Sequence, residues 1–224
     1  MTMSKKMMLL ALAVTSAALV AIPAFASAEE IHFDTATTFT GTGGAFSWVA
    51  AEEPTSSCQS GDISNGVINA GGTTGTMTLE FTGCSISAMG TMPCHTAGSP
   101  LDNTISFGST MFHLITSKNA SGAAVPAILV TANTIEFICN WFGFPVTTHL
   151  AGSIIGTITI PKCSESSNKL GLSFSATGST QNHLEYTGTK YDLVSRTGAG
   201  ESRTIGLNFA PTLTTNTAGT LTCT

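Results

Sequence analysis

Within residues 66–84, GVINAGGTTGTMTLEFTGC, Met77, Leu79 and Phe81 alternate with Thr78, Glu80 and Thr82. A period of two marks a strand with one face in a core and the other in water. Gly71 and Gly72 lie just upstream, where a hairpin needs residues that accept positive φ. Ile63 and Val67 share the parity of Met77, Leu79 and Phe81 if that turn centres on Gly71, which predicts one core face for all five.

The same pattern recurs along the chain. Ile31–Phe33 and Ala45–Val49 read as strands, with a Thr and Gly turn over 40–44 between them and a break at Glu52-Glu53-Pro54. Residues 85–102 carry Gly and Pro with Cys94 and His95, and read as a bridged loop. Strands are expected at 104–107, 111–116, 127–131, 134–139, 146–150 and 153–160, with turns at 118–122, 141–145 and 149–153. After Pro161, alternation returns at 170–174, 184–187, 191–195 and 205–209, and Leu213 and Leu221 suggest one or two terminal strands. No segment beyond residue 28 shows a long apolar i, i+3, i+4, i+7 stripe. Many short strands with frequent turn signals predict an all-β fold: an antiparallel β-sandwich, with a β-barrel as the alternative.

The N-terminus reads differently. Lys5 and Lys6 precede an uncharged apolar run, 7–22, which meets Pro23 and the small-residue tripeptides Ala24-Phe25-Ala26 and Ala26-Ser27-Ala28. This is the pattern of a secretory signal peptide over 1–28, cut after Ala26 or Ala28, with a single β-sandwich domain over 29–224. The apolar run is short for a bilayer span, and no later stretch approaches one, so no integral membrane segment is expected after leader cleavage. Secretion to the extracellular space, with the cell envelope as the other destination, is the expected localisation.

Charge narrows the partners. All thirteen acidic residues follow the leader, which takes two of the eight Lys and Arg with it, so the processed chain is more acidic than the net −5 of the whole. No basic cluster offsets this, which excludes nucleic acid as a partner. With 9% charged and 42% hydrophobic residues, the balance is the reverse of a disordered chain.

Six cysteines, Cys58, Cys84, Cys94, Cys139, Cys163 and Cys223, lie beyond the leader and predict three disulfides, with 15 possible connectivities. Spacing favours Cys139–Cys163 about a turn at Ala151, Cys84–Cys94 closing a local loop, and Cys58–Cys223. A rival set pairs Cys58 with Cys84 about Gly71 and leaves Cys94 for Cys223. No Cys-x-x-Cys pair occurs, so no metal site or cofactor is expected.

Candidate chemistry is sparse. The histidines are His32, His95, His113, His149 and His183. His32 and Asp34 share a strand face, and His113 has the parity of Met111 and Ile115, which suggests a core position. Glu80 and Glu136 sit among apolar neighbours, as on the solvated face of an amphipathic strand. No Gly-x-Ser-x-Gly, His-Glu-x-x-His or phosphate-binding glycine loop is present, and no catalytic residue is assigned. Trp141-Phe142-Gly143-Phe144-Pro145 is the most unusual composition. Exposed aromatic faces on a β scaffold can stack on sugar rings, making Trp141, Phe142 and Phe144 the candidate ligand-binding residues. The alternative is that this turn lays its rings over the end of the core.

With its leader, the runs Ser-Ser-Cys-Gln-Ser (56–60), Gly-Thr-Met-Thr-Leu-Glu-Phe-Thr-Gly-Cys (75–84) and Gly-Ser-Ile-Ile-Gly-Thr-Ile-Thr (152–159), and Cys94, the chain resembles exported β-rich actinobacterial proteins of unassigned function. The resemblance implies secretion and a β-rich fold, and carries no catalytic residue. The expectation is a non-catalytic extracellular or envelope-associated binding or structural module, with a cell-surface glycan or protein as partner. Two alternatives stand beside it: an extracellular hydrolase with a His/carboxylate site, and a subunit that completes a partner's sheet through an exposed edge strand.

Overall fold

The computed structural model describes residues 31–69, 71–87, 91–99, 103–119, 121–182 and 185–223, and for Trp141 the backbone alone. The leader expected at 1–28 lies outside the described residues. Short β1 (Ile31–Phe33) leads into eight columns that alternately ascend and descend. The first four are β2 (Thr37–Gly43) into β3 (Phe46–Ala50), β4 (Thr55–Cys58) into β5 (Ser60–Ile68), β6 (Thr74–Thr82) into β7 (Ser85–Ser87), and β8 (Thr91–Thr96) into β9 (Thr104–Lys118). Two unbroken columns follow, β10 (Ala124–Trp141) and β11 (Phe144–Ile160). Then β12 (Ser166–Ser173) continues through the small hairpins β13 (Ala176–Thr177) with β14 (Thr180–Gln181) and β15 (Glu185–Tyr186) with β16 (Thr189–Lys190) to β17 (Leu193–Thr197). The last column is β18 (Arg203–Asn208) into β19 (Pro211–Cys223). Every pairing is antiparallel, and no helix occurs among the described residues, so none is long and apolar enough to cross a membrane.

Each column pairs with the next, and the last returns to the first. In the lower half the order is β2, β5, β6, β9, β10, β11, β12, β19, closed by β19 on β2. In the upper half it is β3, β4, β7, β8, β10, β11, β17, β18, closed by β18 on β3. Two circuits that both close leave no long row of unpaired backbone groups within them among the described residues; the strands with an open side are the three-residue β1 and the two-residue hairpins β13–β14 and β15–β16. The upper pole carries the β10–β11 turn. The lower carries β1 and the end of β19.

Inward positions fill one continuous core. Phe46 stacks on Phe81 at 3.9 Å and meets Phe209 and Phe107 edge-on at 5.8 and 6.5 Å, while Trp48 reaches Phe137 on the opposite wall at 5.4 Å. Pairing closes as in a barrel, and opposite walls touch as in a sandwich. Burying each such ring stabilises by roughly 1.5–3 kcal/mol. Between them remains an apolar void of about 40 Å³ at the waist, lined by side chains from every column.

The runs Ala127–Val130 and Ile154–Ile155 are apolar at successive positions because this part of the wall is covered on both sides. Ile128, Val130 and Ile154 face the core, whereas Ile115, Ala127, Leu129 and Ile155 form a separate outer cluster under Tyr186 and Tyr191 of the β15–β16 segment.

Several expectations change. The Thr and Gly stretch 40–44 is mostly strand: Gly41 and Gly43 are small because a Cβ there would strike Leu213 and Phe209, and no turn is involved. A bulge between Ser64 and Val67 turns Val67 out to 38% exposure and puts Ile68 in the core instead. Residues 85–102 are not a closed loop but contain β7 and β8. The chain runs straight through 149–153, with Gly152 at φ 112° where Asp192 backbone crowds it.

All six cysteines are bridged, as Cys58–Cys84, Cys94–Cys139 and Cys163–Cys223. The favoured set Cys139–Cys163, Cys84–Cys94 and Cys58–Cys223 is overturned. With no turn at Ala151, Cys139 stands opposite Val146 on β11 and opposite Cys94 on β8. Cys163 follows β11 at the lower pole, where β19 ends. The rival pairing Cys58–Cys84 is present; its companion Cys94–Cys223 is not.

Candidate functional site

Among the described residues, three connections open onto the upper pole: 51–54, 142–143 and 198–202. Arg203 draws two of them together, donating to the Ala51 carbonyl at 2.6 Å and to Glu52 Oε2 at 3.0 Å, with Glu53 Oε1 at 3.9 Å. Glu201 adds a further acidic side chain to this rim.

The β10–β11 turn stands apart from its neighbours. On one side β8 last pairs with β10 at Cys94↔Cys139, and on the other β17 reaches Thr148↔Thr197, with Gly198 N–H donating to the Thr147 carbonyl at 2.8 Å. Beyond those contacts Asn140↔Pro145 and Trp141↔Phe144 continue as a two-stranded ribbon around Phe142-Gly143. Phe142 at φ 49° and Gly143 at φ 84° give the two positive φ values of a type I′ turn, whose twist matches the flanking strands. Asn or Gly is the usual occupant of the first position. A bulky side chain there costs about 1–2 kcal/mol, because its Cβ approaches the following carbonyl. The rings of Phe142 and Phe144 do not lie over the core: the residues are 58% and 74% exposed. Trp141 pairs with Phe144 through its backbone.

No protein-family model, curated protein or solved structure matches this chain. Its chemistry therefore rests on its own residues. A two-residue tip with exposed rings on either side of a glycine can cover an apolar face of a ligand while offering few hydrogen bonds of its own.

The histidines do not converge on a comparable site. His149 Nδ1 lies 4.0 Å from Glu136 Oε2, beyond hydrogen-bond reach, and lines neither the waist void nor the outer groove beside β5. His113 is not in the core. Its strand parity points outward, since Met111 is 64% exposed, and its ring meets Tyr186 edge-on at 6.0 Å. Asp34, beside His32, accepts from the Thr220 N–H at 3.1 Å, a contact that ties β1 to β19. His95 sits on β8 with no ion-pair partner among the described residues, and His183 lies outside them. Glu136 faces solvent and Glu80 is half-buried. No group of three His, Cys, Asp or Glu side chains placed to hold a metal ion occurs among the described residues.

Sequence reasoning missed the outer groove beside the bulge in β5. One signal could have found it: Asn65-Gly66, a turn dipeptide inside a strand, marks where the bulge falls.

Proposed function

We propose that this protein is a secreted, non-catalytic binding module of the extracellular space or cell envelope, and that the Phe142–Phe144 tip attaches it to a surface glycan. The observation that carries this reading is the placement of a bulky aromatic residue at a turn position where the fold alone would favour Asn or Gly. Backbone strain of that kind clusters at binding and catalytic sites. The three disulfides and the leader pattern support an oxidising destination. The resemblance to exported actinobacterial proteins points the same way. A surface protein with an apolar pocket is the other class of partner such a tip suits.

The test is retention of the processed protein on purified surface polysaccharide, with the double variant Phe142→Ala, Phe144→Ala alongside. Retention falls at least tenfold, equivalent to about 1.4 kcal/mol or more, while the unfolding midpoint barely changes. Retention equal to that of the parent chain would sink the proposal, and capture by a surface protein that is lost with the same two substitutions would move the partner to that class.

A further inference from the structure

The lower half holds a concave surface feature independent of the tip. After the Thr215↔Phe39 pair, β19 leaves β2 and goes on to pair with β1 at Ile31–Phe33. On the other side of β2, the β5 bulge holds Asn65 at φ 51°. Between these two departures from regular pairing lies a groove of about 560 Å³, within the size range of small-ligand sites. Its walls present Thr38, Thr40, Asn65, Val67, Thr214 and Asn216.

These walls carry no formal charge. β2 and β19 contain no charged residue, and β5 contains only Asp62. Asn216 Oδ1 is occupied, accepting from Thr37 Oγ1 at 2.6 Å and from the Thr38 N–H at 3.1 Å, which fixes the amide so that its NH₂ is the free end. The hydroxyls of Thr38, Thr40 and Thr214 and the Asn65 amide bond to no other described side chain or backbone group, so they remain available to a ligand. Val67, turned outward by the bulge, adds an apolar patch beside them.

We propose that this groove binds a neutral saccharide. Uncharged donors and acceptors suit a chain of hydroxyls, an exposed aliphatic side chain suits the C–H face of a sugar ring, and a ligand with a formal charge would find no counter-charge on β2 or β19. Asn216 is the anchoring residue, held in one orientation before any ligand arrives.

Backbone amide shifts of the ¹⁵N-labelled processed protein test the site, using maltotriose, cellotriose and mannotriose up to about 10 mM, with trigalacturonate as the charged control. At least one neutral sugar is expected to shift residues 38–40, 65–67 and 214–216, trigalacturonate to leave them still, and Thr40→Val with Thr214→Val to weaken the response at least tenfold. Both replacements are β-branched and nearly isosteric, and the spectrum itself reports whether the fold survives. The Phe142→Ala, Phe144→Ala variant retains the response, which separates this site from the tip. Absence of groove shifts with all three neutral sugars, equal response to the charged one, persistence after both Val substitutions, or loss on removing the two Phe rings would each overturn the proposal.

Discussion

At the upper pole two phenylalanine rings stand clear of the wall on a convex ribbon, and the backbone beneath one of them holds an unfavourable φ. In the lower half, threonine and asparagine side chains surround a hollow, and the irregular backbone belongs to bulges that any β wall can absorb. The tip offers apolar area and little direction; the groove sets hydrogen-bonding side chains beside an apolar floor that includes Val67. The contrast shows that one closed wall of alternating residues can present two surfaces of opposite character, because the ends and irregularities of its strands are free to vary while the inward positions are not.

The largest effect should come from the layer that joins the two halves. Phe46→Ala removes the ring that stacks on Phe81 at the waist and should cost about 3–5 kcal/mol. Denaturant unfolding followed by probes at the tip and at the groove should still show one transition; two separated transitions would break the picture of a shared core. Next come the bridges. Replacing Cys94 and Cys139 by Ala, or Cys163 and Cys223, should cost about 2–4 kcal/mol in either case. Only the first pair braces the β10–β11 ribbon, so only its loss should lower polysaccharide retention. Equal losses from both would show that the tip is not locally held. The smallest change has the opposite sign: Phe142→Asn should raise stability by about 1 kcal/mol by relieving the αL position, while retention falls. A lower unfolding midpoint for this variant would mean that the ring contributes packing after all.

Much of this architecture could be read from local pattern. Met77, Leu79 and Phe81 are inward, Phe142-Gly143 is a turn, the six cysteines are all bridged and no helix occurs among the described residues. What failed depended on contacts across the wall. Gly41 and Gly43 resemble turn residues but are small to admit Leu213 and Phe209, which lie far away in sequence. The bulge at Asn65-Gly66 reverses the parity of Val67, and the outer cover formed by Tyr186 and Tyr191 buries Ile115 on a face that pattern alone assigns to the core. Disulfide partners followed a turn assumed at Ala151, and one misplaced turn was enough to misassign them. Of the candidate site, the aromatic composition was legible, whereas its exposure was not: alternation cannot say how far a ribbon extends beyond its neighbours.

The meeting of the first and last strands has a consequence for how the molecule could be mounted. Ile31 and Cys223 are register partners, so the first and last described residues stand side by side at the lower pole. The tip lies at the far end of β10, 18 residues long, or roughly 60 Å of extended backbone. A molecule moored at the lower pole would carry its phenylalanines outward like the head of a mast, whereas fusing a partner onto residues 142–143 would place cargo where the rings must make contact.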